Sequence, residues 1–475
     1  MRYAILLLPL LSSNLLAATY YISPNGSDAN NCTSAQSQST PKKTFVSFFA
    51  CGTAGDTFVV MSTAAHTTYA GATTGYMSYD DGSCTNCEQP PSGTSTSVMT
   101  NVQAQYSTNT VVIDGGSRQG LFIGRSNRKD KFIKIQGLTF HGGGILYNTD
   151  HVYVKSCGIY GTAQDGGDVF GIGTNDGNWW NTNNLIEDTW IWGKNRLIAS
   201  NYRASNTIWR RVFVRGDGCN TGACTGSGNP NVGFTVYNSS NVSVQNMMII
   251  DRSLGGGEPY ADFASAQHDA GPNDTGATEY NQKNEWLGCL SLNSDDSGHN
   301  FECDGCTSPS VKIVDMAIID PAGGGVNVGN NNVGVTVKNV TVLNVQGAGE
   351  SGVRLAPGVT GGEVTNVIVL TSPQWGVNSS VQPSYSDVFN ATVDNYNQTT
   401  CAVGCLTTNA RADGTPPSIK YIPRIESGSA LKGSGSGGAD YGANLLYDYG
   451  VDGKYSGESS SNTLTANSLW PWDNQ

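Results

Sequence analysis

Apolar and polar residues alternate along most of this chain, in short runs that repeatedly change phase. The octet Val152-Tyr153-Val154-Lys155-Ser156-Cys157-Gly158-Ile159 sets the pattern: two apolar alternations separated by one small polar residue. It recurs as Val242 to Ile249, Val311 to Ile318 and Val335 to Val342, and shorter versions centre on Gly137, Asp188, Arg211, Asn366 and Asn390. Within each half every second side chain shares a face, so each half is a strand. The central polar residue shifts the alternation by one position. A single residue at positive φ produces that shift, and Asn, Asp and Gly reach this region at least cost. Each unit is therefore two short strands joined by a sharp bend, with both apolar faces turned to one interior.

The predicted bends fall at residues 137, 156, 188, 211, 246, 315, 339, 366 and 390. Adjacent bends lie 19 residues apart between Gly137 and Ser156 and 27 apart between Asn339 and Asn366, about one solenoid coil per unit. Wider gaps imply coils with inserted loops, at 161–183, 216–232 and 251–288. A third strand per coil shows in Gly325-Val326-Asn327-Val328 and Gly352-Val353-Arg354-Leu355. The pattern predicts an all-β, single-stranded right-handed parallel β-helix over 111–400. An N-terminal cap and first coils precede it over 19–110, and a Gly- and Ser-rich capping segment follows over 401–475. A core that grows in one dimension escapes the usual size limit of a single domain.

Composition agrees with many tight turns: the chain holds 60 glycines and abundant Asn, Ser and Thr. Residues 1–18 read as a secretory signal, with Arg2 as the positive region, Ala4 to Leu11 as the apolar core, and Ala17 and Ala18 at the cleavage zone. No later stretch approaches the roughly 20 apolar residues of a membrane span. Secretion to the extracellular space, the cell surface or the periplasm is the expectation. The formal charge of −12 argues against a nucleic-acid partner, since phosphate binding needs a basic footprint. Twelve cysteines in a secreted chain read as disulfides rather than zinc ligands. Cys84/Cys87, Cys219/Cys224, Cys303/Cys306 and Cys401/Cys405 are close pairs and Cys32/Cys51 a fifth. Cys157 and Cys289 remain, as buried free thiols or as a sixth bridge.

The opening Tyr20-Tyr21-Ile22-Ser23-Pro24-Asn25-Gly26-Ser27-Asp28, the run Gly55-Asp56-Thr57-Phe58-Val59-Val60 and the closing Leu469-Trp470-Pro471-Trp472 resemble the pectate-lyase-like right-handed parallel β-helix superfamily of secreted bacterial proteins. The resemblance implies a helical cap near Lys43 to Cys51, with Trp470 and Trp472 anchoring the tail. It carries over no catalytic residue: neither the arginine signature of classical pectate lyases nor the aspartate set of polygalacturonases is present.

The alternation also predicts which side chains face outward. Around Asp188 these are Trp190 and Trp192, in the next coil Phe213 and Arg215, then Met248 and Ile250. Such a strip serves as an aromatic platform for sugar rings or lies buried beneath the loops. Candidate catalytic groups beside it are Asp262, His268, Asp269, Asp295, Asp296, His299 and Arg215. Two carboxylates would suit a glycoside hydrolase. A basic residue with Ca²⁺ on Asp217, Asp295, Asp296 and Glu302 would suit a polysaccharide lyase. Trp190, Trp192, Phe213, Arg211 and Glu285 are the candidate substrate contacts. The expected function is a carbohydrate-active protein that binds and cleaves a polysaccharide or cell-surface glycan in a groove walled by the three loops. The other reading is a non-catalytic surface, adhesive or filament-forming protein that associates with itself.

Overall fold

The computed structural model describes residues 17–469, apart from 63–65, 79–83, 107–109, 126, 162–167, 174–180, 217–231, 251–260, 267–282, 295, 303–310, 416 and 421–423. Strands of successive coils stack in parallel into two long sheets, one of 23 strands and one of 12. The larger sheet folds along a line of bends, so each coil contributes three strands. We number the resulting sheets by the order of strands within a coil. Thr149–Lys155, Gly158–Gly161 and Asp168–Ile172 are the first-, second- and third-sheet strands of one coil. The coils wind into a right-handed parallel β-helix.

The bend between first and second sheets is one left-handed residue per coil. Gly137, Ser156, Asp188, Arg211, Asn246, Asp315, Asn339 and Asn366 all have φ between 49° and 73°. Gly288 (φ 67°) supplies the bend of a coil that the alternation did not reveal. Asn390 is also left-handed (φ 60°), but it pairs across from Thr371 rather than Asn366. It belongs to a second row of corners with Asn293, Asp320 and Asn344, and the bend of its coil is Tyr385 (φ 48°). Asn side chains link successive coils within the first row: Asn366 Nδ2 donates to Asn339 Oδ1 (2.9 Å), and Asn339 Nδ2 to Asp315 Oδ1 (3.0 Å).

Inward residues form one continuous core from Tyr20 to Val388. Each Val or Ile buried there contributes about 1.5–3 kcal/mol. The N-terminal end is closed by the helix Phe45–Phe49, started by Thr44, whose side chain accepts from Ser47 N. Its Phe45, Phe48 and Phe49 pack on Tyr69 and Phe58. Sulfur–sulfur bonds join Cys32 to Cys51, Cys84 to Cys87 and Cys401 to Cys405, while Cys157 and Cys289 are separate buried thiols.

The C-terminal segment returns along the outside of the solenoid toward the N-terminal cap. Ala410, Ile419, Ile425, Leu431 and Tyr441 cover Ile319, Leu343, Ile368 and Leu370, and Ala443 and Leu445 then cover Ala317. A hairpin of Tyr447–Tyr449 and Leu464–Ser468 follows, with Tyr449 N donating to Asn246 Oδ1 (2.6 Å). Beyond it Tyr455 reaches Tyr153. Residues 470–475, including Trp470 and Trp472, lie outside the described residues.

Candidate functional site

Because the first corner is a single residue, the long connections leave from the two edges of the third sheet. Segments 162–167, 217–231 and 251–260 follow second-sheet strands; 174–180, 267–282 and 303–310 follow third-sheet strands. The expected loop 161–183 therefore contains the strands Asp168–Ile172 and Asn181–Thr182. The expected loop 251–288 contains Ala261–Ala266 and Asn284–Leu287. Asp217, His268, Asp269, Asp295, Cys219, Cys224, Cys303 and Cys306 lie outside the described residues, as does the side chain of Glu302. The connection carrying His268 and Asp269 leaves the opposite edge of the third sheet from the one carrying Asp217.

Asp262 and His299 are interior residues rather than groove residues. On the third sheet, Gly233, Asp262, Gly298, Gly325, Gly352 and Gly376 occupy equivalent positions facing the second sheet. An added Cβ would meet Ile249, Ile318, Val342, Val369 and Val388 at 2.1–2.7 Å at the five glycines. At Asp262 the opposing residue is Ser291, and its hydroxyl donates to the buried carboxylate (2.6 Å). One slot therefore exchanges a glycine and a branched aliphatic for a hydrogen-bonded pair. His299 stands in the inward column of Phe263 and Val326, fully buried. Trp286 meets its ring edge-to-face at 4.8 Å. Among the described residues neither ring nitrogen has a hydrogen-bond partner, nor does Trp286 Nε1. Burial alone depresses the imidazole to about 3, so it is neutral.

Arg211 and Glu285 secure the C-terminal segment instead of reaching into a groove. Arg211 pairs with Asp188 (2.6 Å) and with Asp452 of the returning segment (2.7 Å). Glu285 accepts from Ser243 and from Asn462 (2.8 and 2.9 Å). Beside them lies a fully buried pair, Arg210 and Glu187 (2.7 Å). Arg210 also donates to the carbonyls of Val451 (2.7 Å) and Ser461 (2.8 Å). Burial would raise Glu187, but bonds from Lys155 and Tyr153 hold its carboxyl below the usual range. Glu187, Asp188 and Asp452 lie close enough together to hold a cation. Lys155, Arg210 and Arg211 already balance all three, so the cluster is a charged clasp. Asp296 shapes a turn: its backbone carbonyl accepts from Gly323 N (2.9 Å) and its carboxylate faces Ser297 Oγ (3.5 Å).

The outward face of the second sheet gathers the remaining candidates. Trp190 pairs across from Phe213, and Trp192 from Arg215. Trp190 is 55% exposed and its ring lies 4.3 Å from that of Phe213. One coil earlier Tyr160 lies against Trp192 (5.6 Å), and before that His141 meets Tyr160 edge-on (5.4 Å). Asp114 continues the line at the register of His141. A concavity of about 320 Å³ opens among Thr139, Gly158, Trp190, Trp192, Phe213 and Arg215. Gly158 makes its floor, because a Cβ there would sit 3.2 Å from the Trp192 ring. Toward the C-terminus the same strip continues as Met248 and Ile250, then Leu290 and Leu292, where the returning segment packs. Asp114, Thr139, His141, Gly158 and Tyr160 were not anticipated, although counting outward from Gly137 and Ser156 identifies the last four.

No protein-family model and no curated protein matches the sequence. Solved structures do share its architecture. A structure of XylC in complex with xylose aligns at TM-score 0.50 and 8% identity, covering 81% of this chain and 86% of that one. Pectate lyase Pel9A aligns at 0.42 and 15%, covering 90% and 96%. A lacto-N-biosidase from Eubacterium ramulus aligns at 0.37 and 9%, covering 82% and 68%. At such identities the likeness bears on the backbone alone. With its stacked three-strand coils and left-handed corner rows, the chain has the right-handed parallel β-helix fold.

Proposed function

We propose that this is a secreted carbohydrate-active β-helix that binds a polysaccharide along the outward row His141, Tyr160, Trp192 and Arg215, with Trp190 and Phe213 beside it. The observation that carries this reading is the exposed aromatic row with a glycine floor. Aromatic faces left open on a rigid sheet fit the apolar faces of sugar rings, and Arg215, His141 and Thr139 supply polar contacts at the edges. Neighbouring coils repeat at ~4.8 Å, so the row presents evenly spaced contacts to a polymer lying along the solenoid axis. The connections 162–167, 217–231 and 251–260 leave the ends of this same sheet and would wall the bound chain.

Cleavage would fall to His141, Asp114, Tyr160 and Arg215 together with groups on those connections, by β-elimination or hydrolysis. The interior positions of Asp262 and His299 remove two of the original candidates and favour, as second reading, a glycan-binding protein without turnover. Gel retardation on a panel of neutral and uronate polysaccharides, with Ca²⁺ and with EDTA, tests the binding. Trp190→Ala/Trp192→Ala should weaken retardation at least about tenfold, since buried aromatic contacts commonly carry more than 1.4 kcal/mol each. Unchanged retardation in the double variant would refute the row as the site. In the same incubations, unsaturated products would identify a lyase and new reducing ends a hydrolase. Binding without either product would select the second reading.

A further inference from the structure

On the outer face of the first sheet, across the single-residue corner from the aromatic row, lies a much larger crevice of about 1380 Å³. Its floor is the outward column Asn101, Lys134 and Tyr153. The N-terminal cap forms one side, and the end of the returning segment, with Lys454 and Tyr455, forms another.

The charges in this crevice are unevenly satisfied. Its three buried or clasped acids are engaged. Asp56 accepts from the backbone N–H and the hydroxyl of Thr53 (2.7 and 3.3 Å). Asp452 pairs with Arg211 (2.7 Å) and Lys155 (3.0 Å), and Glu458 accepts from Tyr455 N (2.7 Å). The two cations differ. The half-buried ammonium of Lys134 lies 5.3 Å from the centre of the Tyr153 ring, and among the described residues neither it nor the ammonium of Lys454 has a hydrogen bond or ion pair. Burial, and then Lys155, lower the affinity of Lys134 for its proton, which measures how poorly the site compensates the charge. A carboxylate arriving there would restore what burial removes. Tyr153 and Tyr455 are buried beneath the crevice wall, and Asn101, Thr19 and Ser97 offer short hydrogen-bonding groups to a ligand rich in hydroxyls.

We propose that this crevice is a second ligand site, taking a short oligosaccharide that bears carboxylates, with Lys134 and Lys454 meeting its acidic groups. The overall negative charge of the chain keeps the ligand short: two local cations attract one or two carboxylates, while a long polyanion is repelled by the rest of the surface. The site stands apart from the aromatic row and does not depend on its role.

Calorimetric titration of the purified protein with tri-galacturonic acid, and with maltotriose as a neutral trisaccharide, tests it. The acidic trimer should bind and the neutral one should not, and added salt should weaken the binding. Lys134→Gln should raise Kd about tenfold or more, and Lys454→Gln should raise it less. Unchanged thermal unfolding of both variants would show that the fold is intact, and Trp190→Ala should leave this Kd as it was. The proposal is overturned if the acidic trimer fails to bind, if maltotriose binds equally, or if Lys134→Gln binds like the parent. Loss of binding in Trp190→Ala with none in Lys134→Gln would move the acidic ligand to the aromatic row and also overturn it.

Discussion

His299 makes the interior of the solenoid sensitive to acid. It is fully buried, its two ring nitrogens have no partners, and it packs between aromatic rings. Its pKa falls from 6.5 to about 3 because burial penalises the imidazolium and no acceptor compensates. Between these two values the unfolded chain takes up a proton that the folded chain refuses. Stability from this residue is therefore complete above pH 6.5 and is lost as pH falls toward 3. One pKa unit corresponds to about 1.4 kcal/mol, so a change from pH 7 to pH 4.5 removes roughly 2–3 kcal/mol. Phe is the matching replacement, since Phe170, Phe234 and Phe263 already occupy this inward column. His299→Phe should be no less stable than the parent at pH 7, because it removes two unpartnered polar atoms. At pH 4.5 the parent should have lost roughly 2–3 kcal/mol more than the variant, read as the difference between their urea midpoints at each pH. Other groups titrate equally in both proteins and cancel. Parallel pH profiles would refute the reasoning, showing that His299 has an acceptor in solution.

Three further outcomes follow from the packing. Gly325→Ala should cost about 1–3 kcal/mol in thermal unfolding, since its Cβ would lie 2.2 Å from the Gly352 carbonyl and 2.6 Å from Val342. Glu187→Gln should loosen the returning segment by leaving Arg210 buried with less compensation; limited proteolysis should then cut within 446–462 faster than in the parent, and equal rates would remove the clasp from the account. Cys157 and Cys289, both fully buried and pushed up to about 12, should resist alkylation at pH 8 in the folded protein and react on denaturation, as read by peptide mass spectrometry.

The fold was legible because two elementary rules coincide. Period-two alternation marks a strand, and a left-handed residue marks the phase change; Asn, Asp and Gly advertise that residue in the sequence. The rule failed where another part of the chain covers the outside. Leu290 and Leu292 point outward, yet they are apolar because the returning segment packs there, so the alternation around Gly288 dissolves. Phe389 similarly faces that segment, and with a tyrosine at the true corner the alternation points to the nearby Asn390 instead.

Candidate sites were harder to read because polarity was equated with exposure. Asp262 and His299 look like loop residues in sequence, but a solenoid coil has three walls and the third-sheet strands Ala261–Ala266 and Ser297–Glu302 alternate weakly. The interior Asp262 is hydrogen-bonded by Ser291 opposite it, a pairing invisible without the register. Arg211 looks available in the sequence, but Asp452, 241 positions away, occupies it. The aromatic row behaves differently. Its outward direction depends only on distance from the local bend, so the same count that places Trp190 and Trp192 also places His141 and Tyr160. The alternation leaves open whether such a row is covered. The path of the C-terminal segment supplies that information: it crosses from the second-sheet face at Ala317 to the first-sheet side at Asn246 and Arg210, and the Trp190 ring stays exposed.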